Sequence, residues 1–131
     1  MSDTKTVGLV GHCGPDSSFL RMAVSSALPG ARVLMLDNDA DVQHALEGEG
    51  GVDLLLFNRV LEFGFHDRMG IDLMRSTLAR YPDVPVMMVS NYDDAQQLAE
   101  AEGAKPGFGK NEIGQPKVTD RLRAAVNLTS V

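Results

Sequence analysis

Short apolar runs alternate with segments whose apolar residues recur every three or four positions, from Val7 to Leu128. Val7-Gly8-Leu9-Val10 reads as a buried strand entering the turn Gly11-His12-Cys13-Gly14-Pro15-Asp16. Helical spacing follows through Phe19, Leu20, Ala23, Val24, Ala27 and Leu28, with Asp16 or Ser17 as the expected cap and Pro29-Gly30 as the stop. Arg32 to Leu36 predicts a second strand, and Asp37-Asn38-Asp39 offers caps for a short helix through Val42, Ala45 and Leu46, ended by the glycines between Gly48 and Gly51. Val52 to Phe57 predicts a third strand, apolar enough to be covered on both faces. A long loop from Asn58 to Met69 leads to a helix through Ile71, Leu73, Met74 and Leu78, which Tyr81-Pro82-Asp83 breaks. Val84 to Val89 predicts strand four, and Asp93 or Asp94 is expected to cap a helix carrying Ala95, Leu98, Ala99 and Ala101. Pro106-Gly107-Phe108-Gly109 is a weak fifth strand, and Lys117 to Leu128 predicts the last helix, with Val118, Leu122, Ala125 and Val126 on one face.

Strands alternating with helices in this way predict an α/β fold: an open, doubly wound, five-stranded parallel sheet with helices on both faces and right-handed crossovers. Ligand crevices in such sheets lie beyond the carboxyl ends of the strands, where strand order reverses. That rule selects the loops holding Gly11 to Cys13, Asn58, Ser90 and Lys110. A chain of 131 residues fits one domain, residues 1–131 with a core of about 7–128.

Composition narrows the function classes. A net charge of -6 opposes nucleic-acid binding, which draws on Lys and Arg neutralising phosphates. No apolar run is long enough to cross a bilayer, and the polar start lacks the order of a secretion signal, so a cytoplasmic location and no membrane partner are expected. Cys13 is the only cysteine, which removes internal disulfides and multi-cysteine metal motifs. His12, Cys13 and the distant Asp37 share a sheet edge but form no recognised ligand spacing, so no metal is expected. Gly11-His12-Cys13-Gly14 lacks the lysine and glycine spacing of a phosphate-cradling loop, and no Ser-His-Asp or Cys-His arrangement is supported. No cofactor and no enzymatic activity are expected.

Gly70-Ile71-Asp72-Leu73-Met74-Arg75, Ala79-Arg80-Tyr81-Pro82-Asp83-Val84-Pro85-Val86, Val89-Ser90-Asn91-Tyr92-Asp93-Asp94-Ala95, Glu102-Gly103-Ala104-Lys105 and Lys110 stand in the order and spacing of a bacterial response-regulator receiver domain, which the chain resembles over residues 7 to 128. The resemblance implies a flavodoxin-like, three-layer (βα)5 fold and a role in two-component signalling. It also implies an acidic pair after strand one, a phosphate-accepting aspartate after strand three, a Ser or Thr after strand four and a lysine after strand five.

Most of that chemistry is missing. The acidic pair falls on Gly11 and His12, or on His12 and Cys13, and the acceptor position is Asn58, whose neutral amide is a poor nucleophile. Only Ser90 and Lys110 are kept. Magnesium is normally held by carboxylates, and each one lost at about 4 Å removes a gross attraction of roughly 4 kcal/mol at an effective dielectric of about 20. The crevice is therefore expected to lack its negative character. Lys110 is expected to bond the Asn58 carbonyl oxygen or the Ser90 hydroxyl. The family's switch aromatic falls on Gly107, with Phe108 one place off and facing the other side of the sheet. The loop after Asn58, longer than is usual in receivers, carries Val60, Leu61, Phe63 and Phe65, which either fold back as a lid or form a partner patch.

The resulting expectation is a pseudo-receiver, a phosphorylation-independent protein interaction module in signal transduction. Its leading partner surface is the face formed by the fourth helix, fifth strand and fifth helix, with a signalling protein or sensor kinase as partner; homodimerisation is left open. The alternatives are a phosphorelay receiver with a substitute acceptor such as Asp37 or Asp53, and a small-ligand-binding flavodoxin-like domain.

Overall fold

The computed structural model describes residues 4–48, 50–61 and 64–126. Five strands, β1 (Thr6–Val10), β2 (Arg32–Leu36), β3 (Leu54–Asn58), β4 (Val86–Val89) and β5 (Lys105–Phe108), form one parallel sheet in the order β2-β1-β3-β4-β5. Between and after them run α1 (Gly14–Ala27), α2 (Asp39–Glu47), α3 (Gly70–Arg80), α4 (Asp93–Ala101) and α5 (Pro116–Ala125). The predicted doubly wound (βα)5 architecture is the observed one.

Side chains alternate across a strand, so β3 feeds two cores. Leu54 and Leu56 pack with α1 and α5 through Leu20, Val24, Val118 and Leu122. Leu55 and Phe57 pack on the opposite face with Val42 of α2 and Met74 of α3. All four β3 residues are fully buried, the physical counterpart of their unbroken apolar run.

Several boundaries differ from the pattern reading. Helix α1 starts at Gly14 with Cys13 at its N-cap, so Asp16 and Ser17 lie inside its first turn instead of capping it. Pro15 explains the early start, because its fixed φ suits the first turn and its missing N–H needs no partner there. Helix α4 likewise has Tyr92 at its N-cap, with Asp93 and Asp94 within the first turn. Asn38 does cap α2, accepting from the Asp41 N–H at 2.8 Å. Strands β3 and β4 each begin two residues later than read, at Leu54 and Val86. The last helix begins at Pro116, and the predicted end at Leu128 lies outside the described residues. Among the described residues, no helix is long and apolar enough to cross a membrane.

Candidate functional site

At the carboxyl ends of the strands, Gly11 turns the chain with φ of +74°, a region open to glycine, while its N–H donates to Leu36 O at 3.1 Å. The turn sends His12 inward, only 6% exposed, and leaves Cys13 at the surface. The His12 Nε2 lies 2.9 Å from Leu56 O. A carbonyl only accepts, so Nε2 carries the hydrogen and Nδ1 is left as a buried acceptor without a partner. Burial, opposed by the Leu56 bond and aided by the nearby Lys110 charge, pushes the His12 pKa down to about 4.

Asn58, the last residue of β3, spends both amide hydrogens on backbone oxygens: Nδ2 donates to Gly11 O at 3.1 Å and to Val60 O at 3.0 Å. Since both partners are pure acceptors, the nitrogen must face them. One side chain thus joins the β1 turn to the loop after β3. An aspartate here would point oxygens at oxygens.

That loop closes on itself through an antiparallel bridge of Val60 with Met69, and the Leu61 N–H donates to Arg68 O at 2.8 Å. Leu61 is buried, and its methyl would lie 2.5 Å from any Cβ placed on Gly11, with the Phe65 ring 3.5 Å away. The loop is pinned to the β2–α2 turn as well: Asp39 N–H donates to Gly64 O at 3.1 Å, and His66 N–H donates to the Asp39 carboxylate at 2.8 Å. Leu61 and Phe65 therefore lie over Gly11, while Val60 stays 39% exposed. Phe63 falls outside the described residues.

Lys110 does not make the expected bond to Asn58 or Ser90. Its Nζ pairs with the Asp16 carboxylate at 2.6 Å. Because α1 begins at Gly14, Asp16 stands in the first turn at the crevice mouth, and a carboxylate attracts an ammonium more strongly than a neutral oxygen does. The Lys110 bond, together with a contact from the Cys13 thiol, holds the Asp16 carboxyl below its ordinary range. The negative charge that Asp16 brings to the crevice mouth is thus matched by the lysine. Ser90 is buried, with its hydroxyl accepting from the Tyr92 N–H at 3.1 Å. What is left of the crevice is an opening of about 220 Å³ bordered by Asn58, Arg59, Ser90, Tyr92 and Lys110. Of the substitute acceptors, Asp53 sits at the amino end of β3, where it accepts from the Thr6 N–H at 2.8 Å, and Asp37 follows β2 beside the lid.

Phe108 packs into the core shared with α1 and α5. Gly107 faces α4, where Gln96 occupies the space beside it. The Gln96 amide nitrogen lies 2.9, 3.1 and 3.3 Å from Met88 O, Ser90 O and Phe108 O, which share its two hydrogens, and Arg121 from α5 donates to Gly107 O. A Cβ on Gly107 would collide with the Met88 carbonyl and lie 2.7 Å from Gln96 Oε1. Gln96 and Asp16 were missed as site residues. The helical spacing of Gln96 with Ala99 places it toward the sheet, and Asp16 belongs to the first turn once Pro15 is read as an N-terminal helix residue.

Asn58→Asp should destabilise the fold at pH 7 by about 0.5–1.5 kcal/mol, the net worth of a hydrogen bond, since the bond to Gly11 O is partly buried and the bond to Val60 O exposed. Its carboxyl, facing two carbonyls, would have a raised pKa, so urea unfolding should show the deficit shrinking on acidification. His12 acts on the native protein with the opposite dependence. A folded-state pKa near 4 against 6.5 means the unfolded chain binds the extra proton first, so stability should fall as pH drops from about 6.5 to about 4, by roughly 3 kcal/mol. His12→Asn should flatten that slope in urea titrations, and an unchanged slope would remove His12 as its source. Gly107→Ala should cost about 1–3 kcal/mol by crowding a backbone carbonyl, read as a lowered urea midpoint.

No family model matches the chain, and no curated protein matches it. Solved structures do. A putative response regulator from Chloroflexus aurantiacus J-10-fl superposes with a TM-score of 0.77 at 14% identity, over 95% of this chain and 99% of that one. The signal receiver domain of a DNA-binding response regulator from Colwellia psychrerythraea 34H gives 0.73 at 15% identity, covering 94% and 98%. NtrX from Brucella abortus gives 0.71 at 18% identity, where 95% of this chain matches only 27% of a longer protein. The chain therefore has the fold of response-regulator receiver domains.

Proposed function

We propose that this domain is a pseudo-receiver, a cytoplasmic protein interaction module of a signalling system that works without phosphorylation. The observation that carries the reading is the Asn58 amide, whose two hydrogens hold Gly11 O and Val60 O at the position where the family places its acceptor. Phosphoryl transfer would need a nucleophile there, and an amide bound in this way offers none. Two further features support it. Leu61 lies over Gly11, and Lys110 is neutralised by Asp16. Partner recognition is assigned to the α4–β5–α5 face, where the Gln96 and Arg121 contacts hold β5 against both helices.

Incubation with acetyl phosphate and magnesium, followed by intact mass measurement, tests the reading. The unmodified mass is expected throughout, and titration calorimetry should find no sub-millimolar magnesium binding at the crevice. A stoichiometric phosphoryl adduct on any aspartate would overturn it.

A further inference from the structure

Between the start of α3 and α4 lies a groove of about 410 Å³, a volume within the range of small-molecule sites. Met88 of β4, itself buried, contributes to it from the sheet, and Met69, Ile71 and Leu98 line its sides. Both methionines bring polarizable sulfur, which packs well against an aromatic ring or an apolar chain.

Two opposite charges share this lining without pairing. The half-buried Arg59 places its guanidinium over the Tyr92 ring, 4.7 Å from the centroid. Among the described residues its N–H groups reach no carboxylate and no carbonyl. Asp94 accepts from the Ala95 N–H at 2.9 Å with one oxygen, and its other oxygen has no bond among the described residues. A guanidinium takes a carboxylate through parallel N–H groups, and a carboxylate takes an ammonium. An anionic ligand would carry its charge toward Asp94, and a cationic one toward Arg59. A molecule bearing both charges beside an apolar group answers the whole lining at once.

We propose that the α3–α4 groove binds a free amino acid with a large apolar side chain. Its carboxylate sits on Arg59, its ammonium on Asp94, and its side chain against Met69, Met88 and Leu98. The groove is distinct from the strand-end crevice, although Arg59 and Tyr92 border both. Its occupation does not depend on the phosphorylation-free reading.

Titration of the full chain with L-phenylalanine, followed by amide chemical shifts, tests the proposal. Saturable shifts at Ile71, Ala95 and Leu98 are expected with a Kd of about 1 mM or tighter, the affinity class of a ligand this small. Arg59→Gln and Asp94→Asn should each weaken binding at least about tenfold, the effect of losing a charged hydrogen bond. Arg80→Gln is the matched control: Arg80 also lies over a tyrosine, Tyr81, but outside the groove, and the affinity should not change. N-acetyl-L-phenylalanine, which has no ammonium, should bind the wild type about tenfold more weakly and lose nothing further on Asp94→Asn. L-phenylalaninamide, which has no carboxylate, should behave likewise toward Arg59→Gln. The analogues act on the unaltered protein, so this result stands even if a variant fails to fold. Absence of shifts in the groove up to about 10 mM L-phenylalanine would overturn the proposal. So would equally tight binding of N-acetyl-L-phenylalaninamide, which would assign the groove to a polypeptide side chain. A phosphoryl adduct in the mass experiment leaves all of these outcomes unaffected, so the two readings fail separately.

Discussion

One amide organises the carboxyl edge of this sheet. The two Asn58 hydrogens tie the β1 turn at Gly11 to the loop that begins at Val60, and everything above the crevice follows from that joint. With Gly11 O held, the turn directs His12 into the protein and frees the space that Leu61 fills. With Val60 O held, the loop starts at an angle that lets it pair with Met69 and reach the α2 cap through Gly64 and His66. A carboxylate in the same place has no hydrogen to give, so this arrangement and an acceptor aspartate are mutually exclusive.

The charges around the joint are settled locally. Lys110 and Asp16 neutralise each other at the crevice mouth, and His12, held neutral by burial, adds no charge at physiological pH. On the other flank, Gln96 ties α4 to the ends of β4 and β5 through two amide hydrogens shared among three carbonyls, while Gly107 leaves no side chain that could swing. Both flanks are held by hydrogen bonds among groups already present in the chain.

The fold was legible because its signals are local and repeated. The continuous apolar run of β3 requires cover on two faces, and the helical spacing in α1, α3 and α5 matches the residues that supply that cover. Boundaries were less legible where proline and capping compete: Asp16, Asp93 and Asp94 look like caps in sequence but lie inside first turns. The site was legible in its positions, since Gly11, His12, Asn58, Ser90 and Lys110 all reach the same sheet edge. Its bonding was not. Which acceptor Lys110 takes depends on the phase of α1 to within one residue, and the partners of Asn58 depend on the path of a loop with no periodicity to read. Phe108 was assigned to its sheet face by alternation alone, whereas the spacing of Gln96 with Ala99 gives its helix face but not the carbonyls it bonds.

The most direct test of the closed crevice is a crystal of the wild-type protein soaked with beryllofluoride and magnesium. The account predicts that Asn58 Nδ2 keeps its bonds to Gly11 O and Val60 O, Leu61 stays over Gly11, and no mimic or divalent ion occupies the edge. Density for beryllofluoride and a coordinated magnesium beside Asn58, with the lid displaced, would contradict it.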